Sequence, residues 1–145
     1  MQRATRFSDK KAVDVMVPRS RTVVWNPLLP LEANLERGRK SGHTRYPVAD
    51  KEGLRFVGII NLKDLVWLSK AERVSLELDR ILRPLLAVSP QDRIDAVIRE
   101  MRRRHIHIAT VEESGAAIGI LTMEDIIEEI FGEIQDEFDP VPSPV

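Results

Sequence analysis

Gly119-Ile120-Leu121-Thr122-Met123-Glu124-Asp125-Ile126-Ile127 reads as a short buried strand that turns directly into a helix. A glycine-led apolar triplet suits a core strand in close contact with another backbone. Thr122 and Asp125 stand three apart before an apolar-periodic run, which is a capping-box pattern. The same arrangement occurs earlier as Gly58-Ile59-Ile60-Asn61-Leu62-Lys63-Asp64-Leu65, 61 residues upstream. The chain is therefore organised as a tandem repeat.

Working outward, Asp14 to Arg19 reads as a helix end halted by Pro18, and Thr22-Val23-Val24-Trp25 as a strand. Pro30 opens a helix to about Lys40 with Leu31, Ala33 and Leu35 inward, closed by Ser41-Gly42. Tyr46–Ala49 and Phe56–Ile60 are strands, and Leu62 to about Ser69 is a helix. The second half repeats the order. Leu82-Arg83-Pro84 echoes Met16-Val17-Pro18, and Leu85–Val88 is a strand. Ser89-Pro90-Gln91-Asp92 signals a helix start, and Ile94, Val97, Ile98 and Met101 form its buried face. Ile106–Val111 and Ile118–Leu121 are strands. The last helix carries one apolar stripe, Ile126, Ile127, Ile130, Phe131 and Ile134. Each half thus reads β-α-β-β-α. At an offset of 61 the halves overlay without a gap from about Ser41 to Leu65, placing Tyr46 on His107, Val48 on Ala109 and Asp64 on Asp125. Neither half can bury much core alone, so the two are expected to pack with pseudo-twofold symmetry.

Bulk properties narrow the function. A net charge of -1 over 145 residues disfavours charge-driven nucleic-acid binding. The absence of cysteine excludes disulfides, thiolate metal sites and a cysteine nucleophile. No apolar run approaches the roughly 18 residues that span a bilayer, so the chain reads as soluble, including as a piece of a larger membrane protein. No serine has a nucleophile-elbow or triad context, and no catalytic residue is assigned. His105 and His107 lack a third ligand partner for a metal. Arg99 with Arg102-Arg103-Arg104 reads as a solvated helix end, and the acidic run from Glu124 to Asp139 as the wet face of the last helix.

Gly119, Thr122 and Asp125, with the degenerate copy Gly58, Asn61 and Asp64, resemble the signature of a tandem CBS-domain pair, or Bateman module, over nearly all of residues 12–135. The ordered set Met16-Val17-Pro18-Arg19, Ser41-Gly42-His43-Thr44-Arg45-Tyr46-Pro47-Val48, Arg103-Arg104-His105-Ile106-His107 and Leu121–Ile134 is similar to the pair in CorC/hemolysin-C-like proteins, related to the cyclin-M magnesium transport mediators. The resemblance implies an α+β fold of two β-α-β-β-α CBS repeats in a pseudo-twofold Bateman module. The expected division is a lead-in at 1–11, repeats at 12–69 and 77–135, a linker at 70–76, and a flexible tail at 136–145.

What the resemblance implies for function is a regulatory module that binds an adenine nucleotide, ATP foremost, with Mg2+ as its companion ion. It would control magnesium or cobalt efflux by a membrane transport domain, from the cytoplasmic side, as a homodimer. A small C-terminal domain is a further expected partner in the parent. Thr122 would meet phosphate and Asp125 the ribose, with His107, His43, Arg45, Arg19 and Val17 lining the pocket. Asn61, Asp64 and Tyr46 would form a second, weaker site. Thr-x-x-Asp is also a plain helix cap, and both readings stay open at this point. The alternative function is a structural dimerisation module without a ligand.

Overall fold

The structure, a computed structural model, describes residues 9–138. Residues 1–8 of the expected lead-in and residues 139–145 of the expected tail lie outside the described residues. The elements are α1 (Ala12–Val15), β1 (Val17–Pro18), a 3-10 turn (Arg19–Arg21), α2 (Leu31–Ser41), β2 (Arg45–Ala49), β3 (Phe56–Asn61), α3 (Lys63–Val66) and α4 (Lys70–Val74). A second 3-10 turn (Leu78–Arg80) leads to β4 (Leu86–Val88), α5 (Ile94–Arg104), β5 (Ile108–Glu113), β6 (Ala116–Thr122) and α6 (Met123–Phe138). None of these helices is long and apolar enough to cross a membrane.

The longer elements follow local chemistry. Pro30 precedes α2, and Gly42 ends it in the left-handed region at φ 75°. The amphipathic α5 buries Ile94, Val97 and Met101 and carries Arg102, Arg103 and Arg104 in its last turn. Its terminal left-handed residue is His105, at φ 56°.

Several shorter expectations are corrected. A helix does end within Asp14 to Arg19, but at Val15 and not at Pro18: Val17-Pro18 already pairs as a strand with Ile120 and Gly119. Thr22–Trp25 is not a strand; only Trp25 makes a bridge, to Val48. The helix after Asn61 breaks at Trp67, and the expected linker contains α4 instead. Ser69 and Glu72 close a capping box there, with both bonds at 3.1 Å. Ser89-Pro90-Gln91-Asp92 is a turn ahead of α5 rather than its first turn. The carbonyls of Pro90 and Asp92 accept from the Val13 and Ala12 amides at 3.1 and 2.8 Å, so they are lost to an intrahelical ladder. In α6, Ile126 is fully buried while Ile127 and Phe131 are exposed, so the expected single stripe covers two faces. That helix also runs through Phe138, past the expected start of the tail.

The second half is a four-stranded sheet in the order β1-β6-β5-β4. The first half has the same plan, with the antiparallel pair β2-β3 flanked by single bridges from Trp25 to Val48 and from Arg83 to Ile59. Each half therefore borrows its outer segment from the other's lead-in. Ala12, wholly buried, belongs to the core of the second half, with Val97, Met101, Leu121 and Ile126. Leu76, Leu78, Ile81 and Leu82 pack on the first, around Trp25, Tyr46, Ile60 and Leu65. Phe56, Ile59, Ile108, Ala117 and Ile120 form a third cluster joining the halves. The crossings explain two glycines. A Cβ on Gly58 would lie 2.9 Å from the Arg83 carbonyl oxygen, and one on Gly119 2.8 Å from that of Val17.

The strand pairing also corrects the overlay of the repeats. Val48 pairs with Gly58 and Val111 with Gly119, so Val48 corresponds to Val111, not to Ala109. Likewise Tyr46, opposite Ile60, matches Ala109, opposite Leu121, and not His107. The first hairpin holds two more residues in its turn. A slip of two preserves which face each side chain takes, so an inward–outward pattern cannot detect it.

Candidate functional site

Two clefts lie back to back where the halves meet, sharing Arg45, Ile59 and Ile108. The first, of about 230 Å³, is lined by Val17, Arg21, Thr22, His43, Thr44, Arg45 and Thr122, with Ile59, Ile108, Ile120 and Pro47 as its apolar wall. The second, of about 320 Å³, is lined by Arg45, Asn61, Arg83, Pro84, His105 and His107, again against Ile59 and Ile108.

At the first cleft, β6 runs straight into α6. The Thr122 hydroxyl accepts a hydrogen bond from the Asp125 amide at 3.1 Å, and the Met123 amide is taken by the His107 carbonyl at 2.9 Å. The Asp125 carboxylate has no hydrogen-bond or ion-pair partner among the described residues. It lines an adjoining groove with Val17 and Arg21, two residues that the groove shares with the cleft. The helix N-terminus and two guanidinium groups make this region favourable for an anion. The isoleucine wall suits a flat apolar ring. Arg45, on β2, donates to the Glu124 carboxylate, on α6, at 3.1 Å.

At the second cleft, Asn61 keeps the capping role: its Oδ1 accepts from the Lys63 amide at 3.0 Å. Asp64, however, is occupied. Arg83 donates to it twice, from Nη2 to Oδ1 at 2.8 Å and from Nε to Oδ2 at 3.0 Å. Those bonds hold the Arg83 guanidinium above its ordinary range, so it stays charged.

Of the residues expected around the nucleotide, Val17, His43, Arg45 and Thr122 meet in the first cleft, with Asp125 beside it. Arg19 does not. Its guanidinium ties the two hairpins together, donating to the Leu54 and Ala117 carbonyls at 2.8 and 3.2 Å and stacking on Phe56 at 4.9 Å. The 3-10 turn instead presents Arg21, two residues on, which sequence reasoning missed. His107 is also misplaced: together with His105 it lines the second cleft and the groove beyond it. Tyr46 lines neither cleft. It is 1% exposed, packs against Trp25, and donates its hydroxyl proton toward the Gly38 and His43 carbonyls. Its neighbours Arg45 and Pro47 line the first cleft, as strand alternation requires. Among the described residues no three His, Asp or Glu side chains gather as metal ligands.

Comparison with known proteins places this geometry. Residues 31–70 and 77–132 match the CBS domain family. The magnesium and cobalt efflux protein CorC of Escherichia coli (strain K12) is 33% identical over 134 residues, covering 92% of this chain and 46% of the relative. That of Pasteurella multocida (strain Pm70) is 36% identical over 134 residues, covering 92% and 45%. The chain thus spans about half the length of the curated relatives it matches. Among solved structures, the CBS domain of the bacterial CNNM/CorC family Mg2+ transporter in complex with ATP aligns with a TM-score of 0.79 at 28% identity, over 90% of this chain and 94% of that one. A hemolysin-like protein containing a CBS domain, from Oenococcus oeni PSU, aligns with a TM-score of 0.72 at 30% identity, over 91% and 98%.

Proposed function

The chain belongs to the CBS domain family, as a pair of such domains, and from that premise we propose that it is the adenine-nucleotide-sensing module of a CorC-type magnesium and cobalt transport protein. The observation that carries this reading is the state of the two equivalent aspartates. Asp125 stands unpartnered among the described residues beside a cleft with an apolar wall and two guanidinium groups, whereas Asp64 is held by Arg83. A relative of the same fold is described in complex with ATP. In this chain Asp125 accepts from the ribose hydroxyls. Thr122, whose oxygen caps the helix, still has its own O–H to donate to a phosphate. Arg21 and Arg45 neutralise the phosphates, His43 borders them, and the adenine lies against the isoleucines. Mg2+ arrives on the nucleotide's own phosphates.

The module acts by binding and catalyses no reaction. It pairs with a second copy through the helices that follow the two equivalent strands, where Val66, Trp67, Ile127 and Phe131 are exposed. Nucleotide binding favours one arrangement of that dimer, and the shift reaches a membrane transport domain from its cytoplasmic side. A C-terminal domain of the parent is a further partner.

Calorimetry and thermal shift with ATP, ADP, AMP and S-adenosylmethionine, each with and without Mg2+, test the reading. Wild type is expected to bind ATP, D125A to lose binding while staying folded, and D64A to keep it. No shift with any of these compounds would leave a structural dimerisation module without a ligand.

A further inference from the structure

The two clefts are built on equivalent segments that differ in one decisive side chain. Val17 pairs with Ile120 across β6, and Arg83 takes the equivalent place on β3. The Arg83 amide donates to the Ile59 carbonyl at 2.8 Å, and the Ile59 amide to the Arg83 carbonyl at 2.9 Å. Met16 and Leu82, one residue earlier in each segment, both press on the matching glycine, Gly119 and Gly58. Arg83 therefore stands where Val17 stands, and Asp64 stands where Asp125 stands. Valine is short and has no donor, so it leaves Asp125 alone. Arginine reaches the carboxylate and fastens both oxygens in a fork.

We infer that Arg83 reserves nucleotide binding for one cleft by occupying, from within the chain, the carboxylate that the second cleft would otherwise offer to a ribose. This rests on the nucleotide reading above. The second cleft otherwise keeps the required parts: the helix cap at Asn61, the isoleucine wall, and the positive charge of Arg45, with His105 and His107 also in its lining. It is a latent site for a ribonucleotide, closed by an ion pair. A ligand that enters it must break a bidentate pair first. Because Arg83 and Asp64 are both partly exposed, the closure is a competition and not a wall.

Exchanging the two side chains tests the inference by calorimetry with ATP. Wild type is expected to bind one ATP per chain and D125A none. The double variant D125A/R83V is expected to regain one ATP per chain, through the second cleft. Conversely, V17R supplies Asp125 with an arginine and is expected to weaken binding at the first cleft at least tenfold. R83L replaces R83V if the melting curve shows the valine variant unfolded. Two ATP per wild-type chain would overturn the inference. So would a folded D125A/R83V that binds none while wild type binds one, and that outcome leaves the first cleft's assignment intact. If wild type binds no ATP but R83V binds one, the first cleft's assignment falls and the lock stands. If neither binds, both fall.

Discussion

The Asp125 amide donates to the Thr122 hydroxyl at 3.1 Å, so the helix cap is made by the backbone of Asp125, and its carboxylate has no partner among the described residues. The two residues that spacing joins as one motif thereby separate: Thr122 caps the helix, and the Asp125 side chain takes no part in the cap. Thr122→Ala is expected to cost about 1 kcal/mol through loss of the cap. Asp125→Asn should change stability by no more than about 0.5 kcal/mol, as a partly exposed substitution outside the packed core. Urea melts of the two variants check the separation. An equal loss in both would show the carboxylate to be part of the cap.

Glu124, at the start of α6, pairs with Arg45 of the first cleft at 3.1 Å, with both side chains about half exposed. Glu124→Gln frees the guanidinium and removes an anion from beside the phosphates, two effects of the same sign. ATP affinity is expected to rise several-fold, and the gain should shrink as salt is added. Titrations at low and high ionic strength read both. A fall in affinity would mean that Glu124 positions Arg45 rather than competing for it.

Gly58 and Gly119 are where each half receives the other's lead-in. An added Cβ at either would meet backbone oxygen, which cannot move aside as a side-chain tip can. Alanine at either position is expected to destabilise by about 1–3 kcal/mol. Gly132, inside α6 with nothing among the described residues within 4 Å of an added Cβ, is the control. Alanine there should stabilise by about 1 kcal/mol, the helix-propensity difference. Denaturant midpoints for the three variants should fall, fall and rise.

The capping box of α4 makes that helix sensitive to acid. The Ser69 backbone amide, and then its hydroxyl, hold the Glu72 carboxyl below the usual glutamate range. A carboxyl depressed in the folded state contributes its stability fully above the unfolded-state value, and loses it as pH falls through the folded value. Amide exchange in α4 should therefore speed up, relative to α2, as pH drops through and below the ordinary glutamate range. Glu72→Gln should remove that pH dependence, whereas Ser69→Ala, which keeps the backbone amide, should only reduce it. Exchange in α4 that is flat across this window in wild type would contradict the assignment.

Thr110 is 2% exposed, and its hydroxyl has no hydrogen-bond partner among the described residues. Valine has the same shape and nothing to desolvate. Thr110→Val is expected to stabilise by about 1 kcal/mol or more, seen as a higher melting temperature. A lower one would point to a partner for the hydroxyl.

By itself the sequence determined the repeat, the α+β class, the helices α2, α5 and α6, and the equivalence of Asp64 with Asp125. All of these depend on near neighbours: helical spacing, a proline before α2, a glycine after it, a threonine or asparagine before a helix. Only the tertiary structure decided which half each lead-in joins, because Ala12 and Leu82 are apolar in either setting and the choice lies in the pairing of Val17 with Ile120 and of Arg83 with Ile59. It also decided the register of the hairpins, since a slip of two leaves every face unchanged. The same long-range pairing sent Arg19 to the hairpin turns and Arg21 to the cleft, moved His107 from the first cleft to the second, and buried Tyr46. It set Arg83 against Asp64, nineteen residues away in the chain. Two equal aspartates became unequal because an ion pair depends on what the fold brings within about 3 Å, and the local pattern of a repeat carries no record of that distance.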